Sequence, residues 1–311
     1  MARYASVWYN VVKAYTKENA MNIPIRKLYY VDSQLDGPLW YARKIPAGQK
    51  APLDFYEIKF LRPEAVILMI VISEMFYKRT GESVGWINLS PDEKSYLERI
   101  NISQLEFIDV PKPERLWFRS KSPSKHLFEL QRINDPTQLG EITTRTKDIL
   151  KTWFPDNIKG SMFYNDAALI IMEIVNNTIE HSVSDYTKKP GTCYFTIQQY
   201  QPPNSPNPKV IIAFGDAGMG IRNSLQRANE WVPNNDLYAL KKVLLEGGVT
   251  ARMDGSGGLG LKSIVELLEK HGGAISVRTG YNSIYYEPQT QSLRTKKFRE
   301  AIVGTQTSIV L

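Results

Sequence analysis

The stretch Leu169 to Ser182, LIIMEIVNNTIEHS, constrains this chain more than any other. Wound as a helix at about 100° per residue, it sets Glu173, Asn177 and His181 in one line, with Asn176 and Glu180 beside them. Ile171, Ile174, Val175, Thr178 and Ile179 fill the opposite arc, so the helix must lie on an apolar core. A solvated helix face normally carries long charged side chains. This one carries short ligand-type groups and no Lys or Arg, which turns it toward something polar other than bulk water.

Two later glycine-rich stretches supply what such a face needs. Asp216-Ala217-Gly218-Met219-Gly220 follows the apolar run KVIIAF, read as a buried strand. There the carboxylate can point across a pocket while Gly218 and Gly220 let the backbone approach a flat ligand. Gly255-Ser256-Gly257-Gly258-Leu259-Gly260 leads into a helix from Leu261 to about Lys270, with Ile264, Val265, Leu267 and Leu268 as its buried side. Free backbone N–H groups at a glycine-rich helix N-terminus make a phosphate site. It is not a P-loop, because no Gly-Lys-Ser/Thr follows.

The set Glu173-x-x-x-Asn177, Asp216-x-Gly218-x-Gly220 and Gly257-Gly258-Leu259-Gly260-Leu261, closed by GTQTSIVL, resembles the ATP-binding domain of the GHKL superfamily. That superfamily includes gyrase B, the histidine kinases and MutL, and the resemblance covers about residues 125–311. It implies a Bergerat-type α/β sandwich. By the same resemblance Asn177 would hold the Mg2+ that bridges the phosphates of ATP, an amide oxygen suiting a hard cation. Asp216 would accept from the adenine amino group. Gly218 and Gly220 match the first glycine box, the Gly257 to Leu261 run matches the second, and Thr305 or Thr307 matches the threonine near adenine. Arg252 lies in the segment Ile221 to Ser256, which would be the ATP lid, and is placed to reach the terminal phosphate. Glu173 matches a glutamate that acts as general base on water or a protein hydroxyl in gyrase-like and anti-sigma-factor-like members.

EIVNNTIEHS is most similar to the anti-sigma-factor serine kinase type, in which a histidine also follows the asparagine by four. His181 itself is expected to pack or cap, and His271 to complement its helix C-terminus. Two departures matter. His126, in KHLFELQRINDP, lacks the acid, basic residue and Pro that follow a phospho-accepting histidine, which argues against a histidine autokinase. Ser256 stands where many members have the first glycine of the second box.

Before residue 125 the pattern is strand and helix in alternation. FYEIKFL (residues 55–61) is expected as a strand, Pro63 to Arg79 as a helix, SVGWINL as a strand, and a further helix starts at Ser90-Pro91-Asp92-Glu93. That last tetrapeptide offers a Ser cap, a Pro at the first helical position and a Glu able to bond back to the cap. Such alternation implies a small parallel sheet, hence a βαβα domain over 55–124 that resembles a STAS domain. The Pro-, Lys- and Ser-rich run ending at Lys125 marks a boundary, and Asp135-Pro136-Thr137-Gln138 starts the next helix, to about Trp153. Residues 4–17 have helical spacing. The segment 23–53, with β-prone KLYYV and LWYARKI, is expected as hairpin or irregular structure, and RTKKFRE (294–300) as a solvated loop or helix face.

The chain of 311 residues is long enough for such a division, with a basic segment over 1–54. Residues 1–50 hold eight Lys or Arg against three acids, most of the net +7. A nucleic-acid role for that excess lacks a recognisable module, and a solvated basic face is preferred. The longest apolar run, Ala65 to Phe76, is interrupted by Ser73 and Glu74 and is too short for a membrane span, so it is expected as a buried helix, with no membrane partner. Without a secretion signal, and with Cys193 alone, the expected location is the cytoplasm. ATP and Mg2+ are the implied cofactors. The implied function is ATP hydrolysis or phosphotransfer to a protein Ser/Thr under a regulatory N-terminal domain, a homodimer being left open. The alternative is a non-catalytic, ATP-gated protein-interaction module.

Overall fold

Strand and helix alternate through the described part of the first third of the chain, and the strands pair in parallel, as the alternation implies. The computed structural model describes residues 23–25, 36–50, 52–58, 60–112, 126–154, 161–181, 191–201, 208–227, 234–247 and 260–311. Strands β1 (Ile23–Pro24), β2 (Leu53–Asp54), β3 (Val84–Ile87) and β4 (Ile108–Asp109) are hydrogen-bonded in that order. Helices α1 (Asp36–Lys44), α2 (Pro63–Thr80) and α3 (Pro91–Arg99) separate them. The sheet thus takes in strands from before residue 55. The start of α3 is the capping box read from sequence, with Ser90 Oγ accepting from Glu93 N and Glu93 Oε2 accepting from Ser90 N.

Three local expectations are corrected. The described residues of 55–61 are not in a strand; β2 stops at Asp54, whose Oδ1 accepts from Tyr56 N at 3.0 Å and turns the chain. LWYARKI is helical in α1, because Leu39, Ala42 and Ile45 recur at helical spacing toward the core. Arg43 and Lys44 also occupy its last turn, where cations are favoured. RTKKFRE lies in a long strand, β9, whose residues 292–297 pair with 282–287 across a short turn. The expected helix over 4–17 and the body of the boundary run from residue 113 lie outside the described residues.

The second half holds β5 (Leu127–Ile133), α4 (Leu139–Trp153), α5 (Ser161–His181), β6 (Cys193–Tyr200), β7 (Lys209–Gly215), α6 (Gly220–Arg227), α7 (Asp236–Lys241), α8 (Gly260–His271), β8 (Ala274–Glu287) and β9 (Ser292–Val310). Its sheet is antiparallel, in the order β5-β6-β7-β9-β8. Strand alternation divides the side chains between two cores. Phe195, Ile197, Ile212, Phe214, Ile275, Val277 and Ile309 pack with α4, α5 and α8, while Tyr194, Ala213 and Ile302 join the core built around α2.

Helix α2 explains the long apolar run, being buried on nearly every side between the two sheets. Each polar interruption has a partner. Ser73 Oγ accepts from Trp86 Nε1 at 3.0 Å, and Glu74 pairs with Lys78 at 2.9 Å. The helix lies directly on strand backbone at Gly215, where an added Cβ would stand 2.5 Å from Ile67 Cγ2 and 3.0 Å from Val71 Cγ2. Cys193 is a buried strand residue whose thiol burial pushes up. No described helix is long and apolar enough to cross a membrane.

Candidate functional site

Helix α5 is longer than its polar stripe, and its register is as expected: Ile171, Ile174, Val175 and Ile179 are buried, while Glu173, Asn176 and Asn177 are half-buried. Helix α8 packs along it and begins at Gly260. That first residue is pressed onto the stripe. A Cβ at Gly260 would lie 2.8 Å from Asn177 Nδ2, 3.0 Å from Glu173 Oε2 and 3.5 Å from Asn177 Oδ1. The N-terminus of α8, whose first N–H groups have no partner within the helix, therefore abuts a carboxylate and an amide, and Leu261 behind it packs against the core.

The far end of α8 is tied to α5 as well. Asp166 Oδ2 receives Lys270 Nζ at 2.6 Å and His271 Nε2 at 2.7 Å. Burial pushes the Asp166 carboxyl upward, but the hydrogen bonds from Lys270 and His271 hold it below the ordinary value. His271, with Lys270, thus ties the C-terminal end of α8 to α5.

Asp216 follows β7 on the same side as Phe214 and is buried. Its Oδ1 accepts from Gly218 N at 2.8 Å and its Oδ2 from Thr305 N at 3.2 Å, while its own N–H donates to Thr305 O at 3.0 Å. Burial pushes this carboxyl up to about 7, against the two backbone donors. Each oxygen retains further acceptor capacity.

Two residues that sequence reasoning did not single out complete the surround. Gly304, at φ 76°, brings β9 against Asp216, where an added Cβ would sit 2.7 Å from Asp216 Oδ1. Thr279 Oγ1 accepts from Ile221 N at 3.2 Å and donates to Gly304 O at 3.0 Å. It also fills the space where a side chain at Gly220, φ 78°, would go. The GT that opens GTQTSIVL was the available signal for Gly304; Thr279 had none, since its place comes from strand pairing.

The structure therefore places Glu173, Asn177 and Gly260 together, and Asp216, Gly218, Gly220 and Thr305 together. Thr307 is buried opposite Phe214 on the same sheet face. Arg252, Gly257, Gly258 and Leu259 lie outside the described residues, as does the side chain of His181. His126, at the head of β5, bonds through Nδ1 to Gln199 Oε1. Among the described residues no cluster of three or more His, Cys, Asp or Glu is placed to hold a metal ion. Asn177 offers a neutral oxygen, which fits a cation whose remaining ligands are phosphate and water. No protein-family model matches this chain, and neither does any curated protein sequence.

Proposed function

We propose that residues 125–311 form a GHKL-type, Bergerat-fold site for Mg-ATP, and that Glu173 activates water or a protein Ser/Thr hydroxyl for attack on the terminal phosphate. The observation that carries this reading is Gly260, which brings the N-terminus of α8 against Asn177 and Glu173 without room for a side chain. Anions are favoured at such an N-terminus. Asn177 would hold the cation, and Mg2+ would supply charge neutralisation on the phosphates. Asp216, oriented by Gly218 and Thr305, would accept from the exocyclic amine of adenine; the corresponding position of guanine is a carbonyl, which a carboxylate repels. Glu173, half-buried beside the phosphate end, is a carboxylate within reach of a nucleophile there.

The parallel block, read as STAS-like, would regulate this site, and support comes from α2 resting on Gly215, the residue before Asp216. The partner selected by that block would be a protein. Glu173→Ala separates catalysis from binding. ATP affinity is expected to stay within about threefold while turnover or phosphoprotein formation falls roughly 100-fold or more. Turnover unchanged by the substitution would leave an ATP-gated interaction module as the better reading.

A further inference from the structure

We infer that Asp236 is a positioning residue for the Asp216–Gly220 turn, acting through Arg222; the inference rests on the Mg-ATP reading for its functional consequence. Asp236 opens α7, a helix capped by Asn235 Oδ1, which accepts from Leu237 N at 3.0 Å and Tyr238 N at 3.2 Å. An acid in the first turn of a helix is ordinary. This one is buried and turned away from water. Its Oδ2 accepts from Tyr281 N at 2.9 Å, and its Oδ1 lies 3.2 Å from Arg222 Nη1.

The receiving strand is shaped for that carboxylate. Pairing of β8 with β9 is irregular on both sides of Gly280, which adopts φ 52°. A Cβ there would overlap Asp236 Oδ2 and stand 2.8 Å from its Oδ1. Irregularities of this kind re-aim backbone near functional sites. The residue before it, Thr279, holds the first turn of α6 through Ile221 N. Neighbouring residues of β8 thus anchor two elements, with Thr279 on α6 and Tyr281, beside the space that Gly280 leaves, on α7, and the Arg222–Asp236 pair ties those elements to each other.

Arg222 stands two residues after Gly220, and Gly218 N is the donor that orients Asp216 Oδ1. The Asp216–Gly220 turn is therefore pinned by the Thr279 hydroxyl on one side and by the Arg222–Asp236 pair on the other. Losing the pair leaves the Thr279 hydroxyl, the Asn223 amide on Met219 O and the Thr305 backbone bonds to Asp216 to hold the turn. The adenine-reading carboxylate then loses part of its fixed orientation without losing a contact to ligand.

The test uses the full chain as wild type, Asp236→Asn, Arg222→Gln, Arg222→Lys and the double variant Arg222→Gln/Asp236→Asn. Affinity for ADP with Mg2+, hydrogen exchange of residues 216–222 without ligand, and Tm are measured on each. Asp236→Asn keeps an acceptor for Tyr281 N and removes the charge. Asp236→Asn and Arg222→Gln are each expected to weaken ADP by about tenfold, the double variant by no more than the worse of these two, and Arg222→Lys by less than about threefold. Exchange over 216–222 is expected to quicken in Asp236→Asn and in Arg222→Gln, with exchange in α5 unchanged. Unchanged exchange over 216–222 overturns the inference, as does acceleration spread through the whole chain with a matching fall in Tm. If Asp236→Asn does not fold, Arg222→Gln decides. If wild type binds no ADP, the Mg-ATP reading fails, and hydrogen exchange still decides the clamp.

Discussion

On the α5 and α8 face of the antiparallel sheet, Asp216 is buried with a backbone N–H on each carboxyl oxygen; on the other face Arg278 is buried with no hydrogen-bond partner for its guanidinium among the described residues. Arg278 sits instead over the ring of Phe298, 3.9 Å from its centroid. Burial pushes the guanidinium down to about 10, with Asp36 acting the other way, so it stays charged at neutral pH. A ring face offsets part of the cost of desolvating a cation and fixes no direction. Backbone donors fix direction, and around Asp216 they are set by Gly218 and by the close approach of β9 at Gly304. The difference separates a charge that the fold tolerates from one that it aims.

The comparison breaks most readily at Gly304. Gly304→Ala sets a Cβ against Asp216 in a backbone conformation that alanine disfavours, and should cost more than about 3 kcal/mol in chemical denaturation. Unchanged stability would mean that β9 is not shaped around Asp216.

Protonation of Asp216 sharpens it next. With the folded pKa at about 7 and the unfolded one near the ordinary carboxylate value, the native chain binds more protons between those limits. Its stability should then fall as pH rises from about 4 to about 7 and level off above, by roughly a few kcal/mol. Asp216→Asn removes that slope, which denaturation midpoints across the range would show. ADP affinity should move the opposite way, rising with pH toward a plateau above about 7, because the ionised carboxylate is the better acceptor. An affinity flat in pH would remove Asp216 from ligand reading.

The smallest effect belongs to Arg278. Arg278→Met should leave stability between unchanged and about 2 kcal/mol higher, since a buried cation with no hydrogen-bond partner among the described residues gives way to an apolar side chain of similar length. A loss of several kcal/mol would show that the guanidinium is held after all.

What was legible in the sequence was local. The Ser90 box and the Asp135 start depend on residues within four positions of each other, and both are formed; Asp135 Oδ1 accepts from Thr137 N at 2.8 Å. The polar stripe of α5 follows from helical period alone. Segments decided by distant neighbours were misread. LWYARKI is β-prone in isolation but packs its α1 helix against β9, with Arg43 reaching Glu300 at 2.9 Å, and residues 294–300 become strand only through β8. Of the site, Glu173, Asn177, Asp216 and the glycines stood out because their residue types are unusual for their patterns. Thr279, Asp236 and the Ile67 contact with Gly215 did not, because strand register and helix docking bring them into place.

Calorimetric titration of the whole chain with ADP and Mg2+, beside Asp216→Ala, puts the nucleotide site to the question most directly. Saturable binding of about one ADP per chain is expected, weakened at least tenfold or so in Asp216→Ala by loss of a charged acceptor. No measurable binding to the wild-type chain, or binding that Asp216→Ala leaves intact, would contradict it.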